Sequence, residues 1–192
     1  LIKEGKVGTK ELDEKVSNVL RLIFRTSMDP HKPFGSLGSP EHGQAGRQIG
    51  EEGIVLLQNN GNLLPIDLNK AKKIAVIGEN AIKMMTVGGG SSSLKVKYEI
   101  SPLDGLKSRV GSKAEVVYAR GYVGDPTGEY NGVKTGQDLK DNRSEDELLA
   151  EALQVAKDAD YVVFFGGLNK SNHQDCEDSD RASLGLPYAQ DR

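Results

Sequence analysis

The sequence predicts an α/β domain in which helices flank a mostly parallel sheet on both faces. Short apolar runs at 73–77, 115–119 and 161–165 indicate strands, and continuous apolar runs are typical of parallel strands that helices cover. Amphipathic helical segments lie between the runs, and this strand–helix–strand order is the pattern of a parallel sheet with crossover helices. The fold class therefore follows from the order of the elements alone.

The composition limits the classes of function. The chain has 192 residues, with 25 Lys and Arg against 28 Asp and Glu and a net charge of −3. No broad positive field is available to attract nucleic acid or an anionic membrane surface, so we expect neither as a partner. The longest apolar run is about five residues, whereas a membrane-spanning helix needs roughly 20. The single cysteine, Cys176, excludes an internal disulfide and a Cys-based zinc cluster.

The first element in order is a helix over 9–25, which we expect Thr9 to cap. Its apolar residues share one face, at positions Leu12, Val16, Val19, Leu20 and Ile23. One helix cannot bury such a stripe alone, so we expect its partner surface in a domain mostly upstream of Leu1. The chain begins with neither Met nor a signal sequence and stops just after a Pro-Tyr turn, which predicts that both termini are cuts through a longer protein.

The next segments predict a linker and the start of a second domain. Residues 29–40 contain three prolines and two glycines, which favour an extended chain, and we assign them as the linker. Ser39 followed by Pro40 predicts the start of a helix that ends near Glu52. The apolar run 54–57 predicts a strand.

Capping signals predict the helices between the later strands. Ser101 followed by Pro102 begins a short helix that ends at Gly111. Ser144 and Glu147 form a capping box, which predicts the start of a helix before the last strand. Two connections are long or rich in glycine, namely 86–94 and 122–143.

One loop carries most of the candidate chemistry. Ligands of open parallel sheets collect at the carboxyl ends of the strands, where the loop after 161–165 lies. Its residues 175–181 contain four carboxylates together with Cys176 and Arg181. Repulsion between carboxylates favours protonation of one of them, which a general acid requires near neutral pH, and Arg181 would keep another ionised. A solvated acidic loop without chemistry is the alternative, and His173 is a further candidate base or ligand, although a lone loop histidine is more often neither.

The loop 86–94 is a second candidate site, because three glycines are followed by three serines. Glycine backbones can surround an anion with N–H groups, which leaves phosphate binding as an alternative function. The spacing matches neither the dinucleotide fingerprint nor the P-loop. Nucleotide binding is therefore a minor alternative.

Several segments together resemble the second domain of family 3 glycoside hydrolases, the β-glucosidase and β-xylosidase type enzymes. These segments are 52–59, 62–65, 73–81, 101–106, 163–169, 177–181 and 184–187. The helix at 9–25 resembles the last helix of the (β/α)8 barrel that precedes this domain in the family. The resemblance implies the end of that barrel at 1–28, the linker at 29–40, and at 41–192 an α/β sandwich domain truncated at its C-terminus.

The resemblance also implies an activity, the retaining hydrolysis of terminal β-D-glycosidic bonds in β-glucosides or β-linked oligosaccharides. In the family, a barrel Asp is the nucleophile, and the sandwich domain supplies the acid/base carboxylate from a loop over the sugar. The residue that matches here is Glu177, and Asp175 is the second candidate. Many relatives have Gly where this chain has Asp178, and the change adds a charge and removes backbone freedom.

The resemblance implies roles for residues around Glu177 as well. Asp180 and Arg181 would brace the loop through an ion pair, and Gly89, Ser91 and Asn169 are the other candidates for substrate binding or loop bracing. Neither a metal nor an organic cofactor takes part in this mechanism.

The resemblance further implies a partner domain and a compartment. The nucleophile would lie in the upstream barrel, against which this chain packs, so we expect the chain alone to be inactive. Family members that degrade plant or dietary glycans are usually exported, which implies a periplasmic or extracellular location. The alternative function is that of a non-catalytic carbohydrate-binding or structural α/β domain.

Overall fold

The computed structural model describes the chain except for residues 32, 87–89, 125–128, 131–132, 135, 172, 178–179 and 192, and at 129–130 and 133–134 it describes the backbone alone. The chain divides into two compact units, Leu1–Val55 and Leu56–Arg192. The helix that follows the linker lies in the first of these units.

The first unit contains two helices, α1 over Thr9–Thr26 and α2 over Pro40–Gly53. The N-cap of α1 is Gly8, without a side-chain hydrogen bond, so the prediction that Thr9 caps the helix was wrong. Helix α2 begins as predicted, since the Ser39 hydroxyl accepts a hydrogen bond from the His42 N–H at 3.4 Å. Neither helix contains a buried residue.

The apolar stripe of α1 is exposed within this chain. Its five residues, Leu12, Val16, Val19, Leu20 and Ile23, are between 38% and 58% exposed. A contiguous apolar stripe is rarely exposed to solvent on a folded protein, and it indicates a surface that another part of a protein covers.

The run 54–57 does not form a strand in the part of the chain that the structure describes. All four side chains are exposed, Leu57 almost completely at 92%. The prediction was wrong because an apolar run specifies a strand only where a neighbouring backbone can pair with it, and the run crosses the boundary between the two units.

The second unit is built on a parallel sheet of three strands in the order β2-β1-β5, with β1 over Lys73–Ile77, β2 over Glu115–Ala119 and β5 over Tyr161–Phe164. Ile74 of β1 lies beside Val116 on one side and Tyr161 on the other. Two short antiparallel strands, β3 over Glu129–Tyr130 and β4 over Val133–Lys134, form a hairpin inside the long connection 122–143.

Helices cover both faces of this sheet, which confirms the predicted fold class. On one face, Ile74 and Val76 of β1 pack with Leu103 and Val110 of α3, which spans Pro102–Val110. On the other face, Ile77 packs with Ala152 of α4. Helix α4 spans Glu145–Lys157.

Strand β5 is only half buried, which corrects the prediction of a fully buried strand. Val162 and Phe164 point to the α4 face and are 49% and 50% exposed. Helix α4 packs over β2 and β1, so it leaves this side of β5 uncovered.

The helix boundaries follow the predicted capping signals. The Ser101 hydroxyl accepts the Asp104 N–H at 3.1 Å, and α3 ends before Gly111. At α4, the Glu147 side chain accepts the Ser144 N–H at 2.7 Å and the Ser144 hydroxyl accepts the Glu147 N–H at 3.3 Å, so the capping box is confirmed. No helix in the described residues is both long and apolar enough to cross a membrane.

Candidate functional site

The loops that leave β1 and β5 meet at the carboxyl edge of the sheet, because these two strands are parallel neighbours. Gly78 ends β1 with φ at 121° and lies against the Phe165 backbone. The side-chain amide of Asn169 donates to the Asn80 side-chain oxygen at 3.2 Å, and the Asn80 amide reaches the Gly167 carbonyl at 3.3 Å. The two loops therefore form one hydrogen-bonded layer.

Asn169 is the centre of the loop after β5. It is buried, and its side-chain oxygen accepts the Ser171 N–H at 2.8 Å. Its backbone N–H donates to the Gln174 side chain at 3.1 Å and its carbonyl accepts the Asp175 N–H at 3.1 Å. These contacts brace the loop and leave the Asn169 side chain no free face toward solvent.

Two side chains from other segments close the same layer. The Tyr122 hydroxyl donates to the Phe165 carbonyl at 2.9 Å and accepts the Asn80 N–H at 3.2 Å, and burial raises the pKa of Tyr122 to about 12. The Gln190 side chain accepts the Gly167 N–H at 2.6 Å and donates to the Gly167 carbonyl at 3.0 Å. The start of the loop after β5 is thus fixed from both sides.

A buried carboxylate lies beneath this layer. Glu79 is fully buried and accepts hydrogen bonds from Lys83 Nζ at 3.3 Å, from Arg120 Nη2 at 2.9 Å and from the Gly124 N–H at 2.5 Å. A buried charge is tolerated only when it is paired in this way. This cluster was not predicted from the sequence, where its local signal is a charged residue, Glu79, two positions after a buried strand.

Glu177 lies at the end of the same loop, and its side chain is exposed. Its carboxylate accepts the Ser91 hydroxyl, whose Oγ lies 2.6 Å from Oε1 and 2.9 Å from Oε2, and the Ser92 N–H at 2.8 Å from Oε2. We call these two donors the Ser91–Ser92 pair. The pair joins the glycine- and serine-rich segment to the acidic loop, a contact between two segments that were separate candidates in the sequence.

The Ser91–Ser92 pair lowers the pKa of Glu177, the Ser91 hydroxyl having the larger effect and the Ser92 N–H the next. Hydrogen bonds to the ionised form favour it over the protonated form. The expectation that repulsion between carboxylates would favour protonation is therefore not met by Glu177 in this chain. The neighbouring Asp175 carboxylate lies 2.8 Å from Lys170 Nζ in an ion pair.

The other candidates lie on the same loop without converging on Glu177. Asp180 and Arg181 do not form the expected ion pair with each other, and the Arg181 guanidinium instead donates to the Gly185 carbonyl at 3.4 Å. The His173 ring lies 3.3 Å from the Asp180 carbonyl. Cys176 is half-buried.

Two residues named from the sequence, Gly89 and Asp178, lie outside the described residues. Within the described part of the chain, no three His, Cys, Asp or Glu side chains form a group that could hold a metal ion.

Glu177 does not line either of the two best-formed cavities among the described residues. The larger, of about 300 Å³, lies over the uncovered side of β5, where Phe164 and Leu153 meet Tyr188. It is an apolar groove between α4 and the C-terminal segment.

Comparison with known proteins gives consistent matches. Residues 54–192 match the glycosyl hydrolase family 3 C-terminal domain. The chain is 44% identical over 196 residues to the beta-glucosidase BoGH3A of Bacteroides ovatus, which covers 99% of this chain and 25% of that protein. It is 31% identical over 206 residues to a periplasmic beta-glucosidase of Salmonella typhimurium, which covers 99% of this chain and 26% of that protein.

A solved structure shows the same arrangement of elements. The GH3 beta-glucosidase of Bifidobacterium adolescentis superposes with a TM-score of 0.72 at 28% sequence identity, over 96% of this chain and 24% of that chain. The chain thus spans about a quarter of the length of the relatives it matches.

Proposed function

This chain belongs to glycoside hydrolase family 3, and from that premise we propose that its second unit supplies the acid/base carboxylate of a retaining β-glucosidase. The observation that carries the proposal is the position of Glu177, at the carboxyl edge of the parallel sheet and inside the matched residues 54–192. Its carboxylate is exposed yet fixed by two donors, which suits a group that must reach a ligand held by another domain.

The proposed partner of this unit is a (β/α)8 barrel in the same protein, upstream of the residues described here. The exposed stripe of α1 supports this proposal, because a helix with that much apolar surface is stabilised when the rest of its own domain, here the barrel, covers it. The barrel would supply the Asp nucleophile and most contacts to the sugar.

The proposed reaction has two steps. In the first, the nucleophile carboxylate bonds to the anomeric carbon, the glycosidic C–O bond breaks, and the leaving oxygen takes the proton of the Glu177 carboxyl group. In the second, the ionised Glu177 takes a proton from water, the water oxygen bonds to the anomeric carbon, and the glycosyl–enzyme bond breaks. This route requires the two carboxyl groups to lie about 5–5.5 Å apart.

The proton affinity of Glu177 would differ between the isolated chain and the complete site. In this chain the Ser91–Ser92 pair lowers the pKa of Glu177, which favours the carboxylate that acts as the base in the second step. A second carboxylate at about 5–5.5 Å and the removal of water by a sugar would both raise the pKa, which favours the acid needed in the first step.

A non-catalytic carbohydrate-binding or structural domain is the second candidate function. Two observations favour it. Glu177 is exposed and lies outside the described cavities. Its pKa is lowered, which is also expected of a surface carboxylate that accepts two hydrogen bonds and has no catalytic role. The two functions differ in what removal of the carboxyl group does to hydrolysis.

The experiment that tests the proposal compares Glu177→Ala and Asp175→Ala in the full-length protein. If Glu177 is the general acid, its removal lowers kcat/KM for cellobiose or an alkyl β-glucoside by about 10²-fold or more. The loss is much smaller for 2,4-dinitrophenyl β-glucoside, whose leaving group departs without a proton.

The same measurement on Asp175→Ala decides between the two carboxylates. Asp175 would be the acid/base if Asp175→Ala lost much more kcat/KM with the alkyl β-glucoside than with 2,4-dinitrophenyl β-glucoside while Glu177→Ala showed no such difference. Unchanged hydrolysis in both variants would support the non-catalytic domain.

The substrate and compartment are also proposals. We propose terminal β-D-glucosides or β-linked oligosaccharides as substrates. Two relatives that match nearly the whole of this chain are named beta-glucosidases, which supports this proposal. We propose a periplasmic or extracellular location, which the match to a periplasmic beta-glucosidase supports.

A further inference from the structure

We propose that Ser91 is a positioning residue for the acid/base, and that the Ser92 N–H holds Oε2 of Glu177 while the Ser91 hydroxyl holds Oε1, the oxygen that carries the proton. This inference rests on the proposed role of Glu177 and extends it to a residue of a different segment. It concerns how the carboxyl group is oriented rather than whether it reacts.

The geometry distinguishes the two carboxylate oxygens. Oε2 accepts the Ser92 N–H at 2.8 Å. Ser91 Oγ lies 2.6 Å from Oε1 and 2.9 Å from Oε2, so its one proton is donated mainly to Oε1. A backbone N–H can only donate, so a proton on Oε2 would face it directly, whereas the Ser91 hydroxyl can rotate away from a protonated Oε1 and leave that proton available to the leaving oxygen.

The pair also joins two segments that are distant in sequence. Ser91 and Glu177 are 86 residues apart in sequence, and both are exposed. An exposed glutamate has several rotamers, and proton transfer requires the carboxyl oxygen within hydrogen-bond reach of the leaving oxygen. Two donors on one carboxylate select one rotamer, which is the function we assign to the pair.

The electrostatic surroundings make the pair the dominant influence on Glu177 within this chain. The pKa of Glu177 is lowered by the Ser91 hydroxyl first and the Ser92 N–H second, and burial opposes them. On the same loop, Asp175 is held in its ion pair with Lys170, and the Asp180 carbonyl faces the His173 ring. The largest contributions to the pKa shift of Glu177 therefore come from the two donors.

The sign of the pH effect follows from these contacts. Removal of the Ser91 hydroxyl takes a donor from the carboxylate, so the pKa of Glu177 rises. Because Glu177 must be protonated in the first step, the alkaline limb of the kcat/KM profile then moves to higher pH.

The experiment uses the full-length protein with Ser91→Ala, Ser91→Thr and Ser93→Ala. Ser93 is the matched control, because it lies in the same segment and its buried hydroxyl makes no hydrogen bond among the described residues. We expect Ser91→Ala to lower kcat/KM for an alkyl β-glucoside about tenfold, to affect 2,4-dinitrophenyl β-glucoside little, and to move the alkaline limb upward. Ser91→Thr keeps the hydroxyl and stays near the wild type, as does Ser93→Ala.

A double-mutant cycle separates positioning from a general structural effect. If Ser91 acts through Glu177, Ser91→Ala has no further effect in a Glu177→Ala background. Additive losses, or an equal loss for both substrates, would overturn the proposal while leaving Glu177 as the acid/base. If Glu177→Ala itself leaves hydrolysis intact, the proposed function fails, and the positioning role fails with it.

Discussion

Asp141 shows how single side chains fix the long connection between β2 and α4. Its carboxylate lies 2.6 Å from Arg143 Nη2 and 3.5 Å from Arg120 Nη1, and Arg120 also contacts the buried Glu79. Hydrogen bonding from Arg143 is the main reason that the pKa of Asp141 is lowered to about 2. Through Arg120, Asp141 therefore ties the segment 122–143 to the buried Glu79.

We predict that this carboxylate makes the unit sensitive to acid. Because the pKa of Asp141 is lowered on folding, its carboxylate stabilises the folded state at pH values above about 3.9, the pKa of an unperturbed Asp. This contribution is lost as the pH falls toward about 2. In Asp141→Asn, the free energy of unfolding should decrease by up to about 2 kcal/mol at pH 7, and its fall between pH 5 and pH 2 should become shallower. Urea unfolding at several pH values measures both effects.

Asp138→Asn is the control for this prediction. Asp138 lies in the same connection, is exposed and accepts only a local hydrogen bond from the Lys140 N–H at 3.1 Å, which Asn can also accept. Asp138→Asn should therefore follow the wild-type pH dependence. If Asp141→Asn follows it as well, the cluster does not stabilise the fold.

At the scale of elements, the sequence predicted those helix starts that depend on hydrogen bonds between residues close in sequence. The capping box at Ser144 and the cap at Ser101 were predicted correctly because the partners lie within three residues. Strand β1 was predicted as buried and lies between two strands and two helices. The exposed side of β5 and the unpaired run 54–57 were not predicted, because burial and pairing depend on which other elements are present.

The candidate site could be predicted only in part, for the same reason. Its segment followed from the acidic loop after β5, whereas the donors to Glu177 could not be derived, because Ser91 and Glu177 approach each other only once the sheet has brought their loops together. The lowered pKa of Glu177 depends on that contact. The buried Glu79 cluster likewise joins two segments that are distant in sequence, 79–83 and 120–124.

Gly78 directly follows β1, where the chain passes close to the Phe165 backbone after β5. A Cβ atom there would lie 2.3 Å from the Phe165 carbonyl oxygen, and its φ of 121° is strained for any other residue. We predict that Gly78→Ala destabilises the second unit by about 2–4 kcal/mol. Urea unfolding monitored by circular dichroism measures the change.

Gly105→Ala is the matched control for Gly78→Ala. Gly105 lies inside α3, and its added Cβ would meet only Ile100 Cγ2 at an ordinary 3.7 Å. Alanine favours a helix over glycine by about 1 kcal/mol, so Gly105→Ala should leave stability unchanged or raise it. Equal stability of the two variants would show that the approach of Gly78 to Phe165 does not constrain the edge.

At the scale of the whole molecule, two surfaces of this chain are exposed that the proposed function would use. Glu177 is exposed outside the described cavities, and the apolar stripe of α1 is exposed. The chain spans about a quarter of the length of its relatives. We therefore propose that catalysis belongs to a longer protein, to which this unit contributes one carboxyl group.

The most direct test of that assignment is azide rescue of Glu177→Ala in the full-length protein with 2,4-dinitrophenyl β-glucoside. Azide attacks the glycosyl–enzyme without a general base and can occupy the space that the carboxylate leaves. The account predicts that azide accelerates turnover and that NMR identifies β-glucosyl azide as the product. No acceleration, or glucose as the sole product at any azide concentration, would contradict the role of Glu177 as the acid/base.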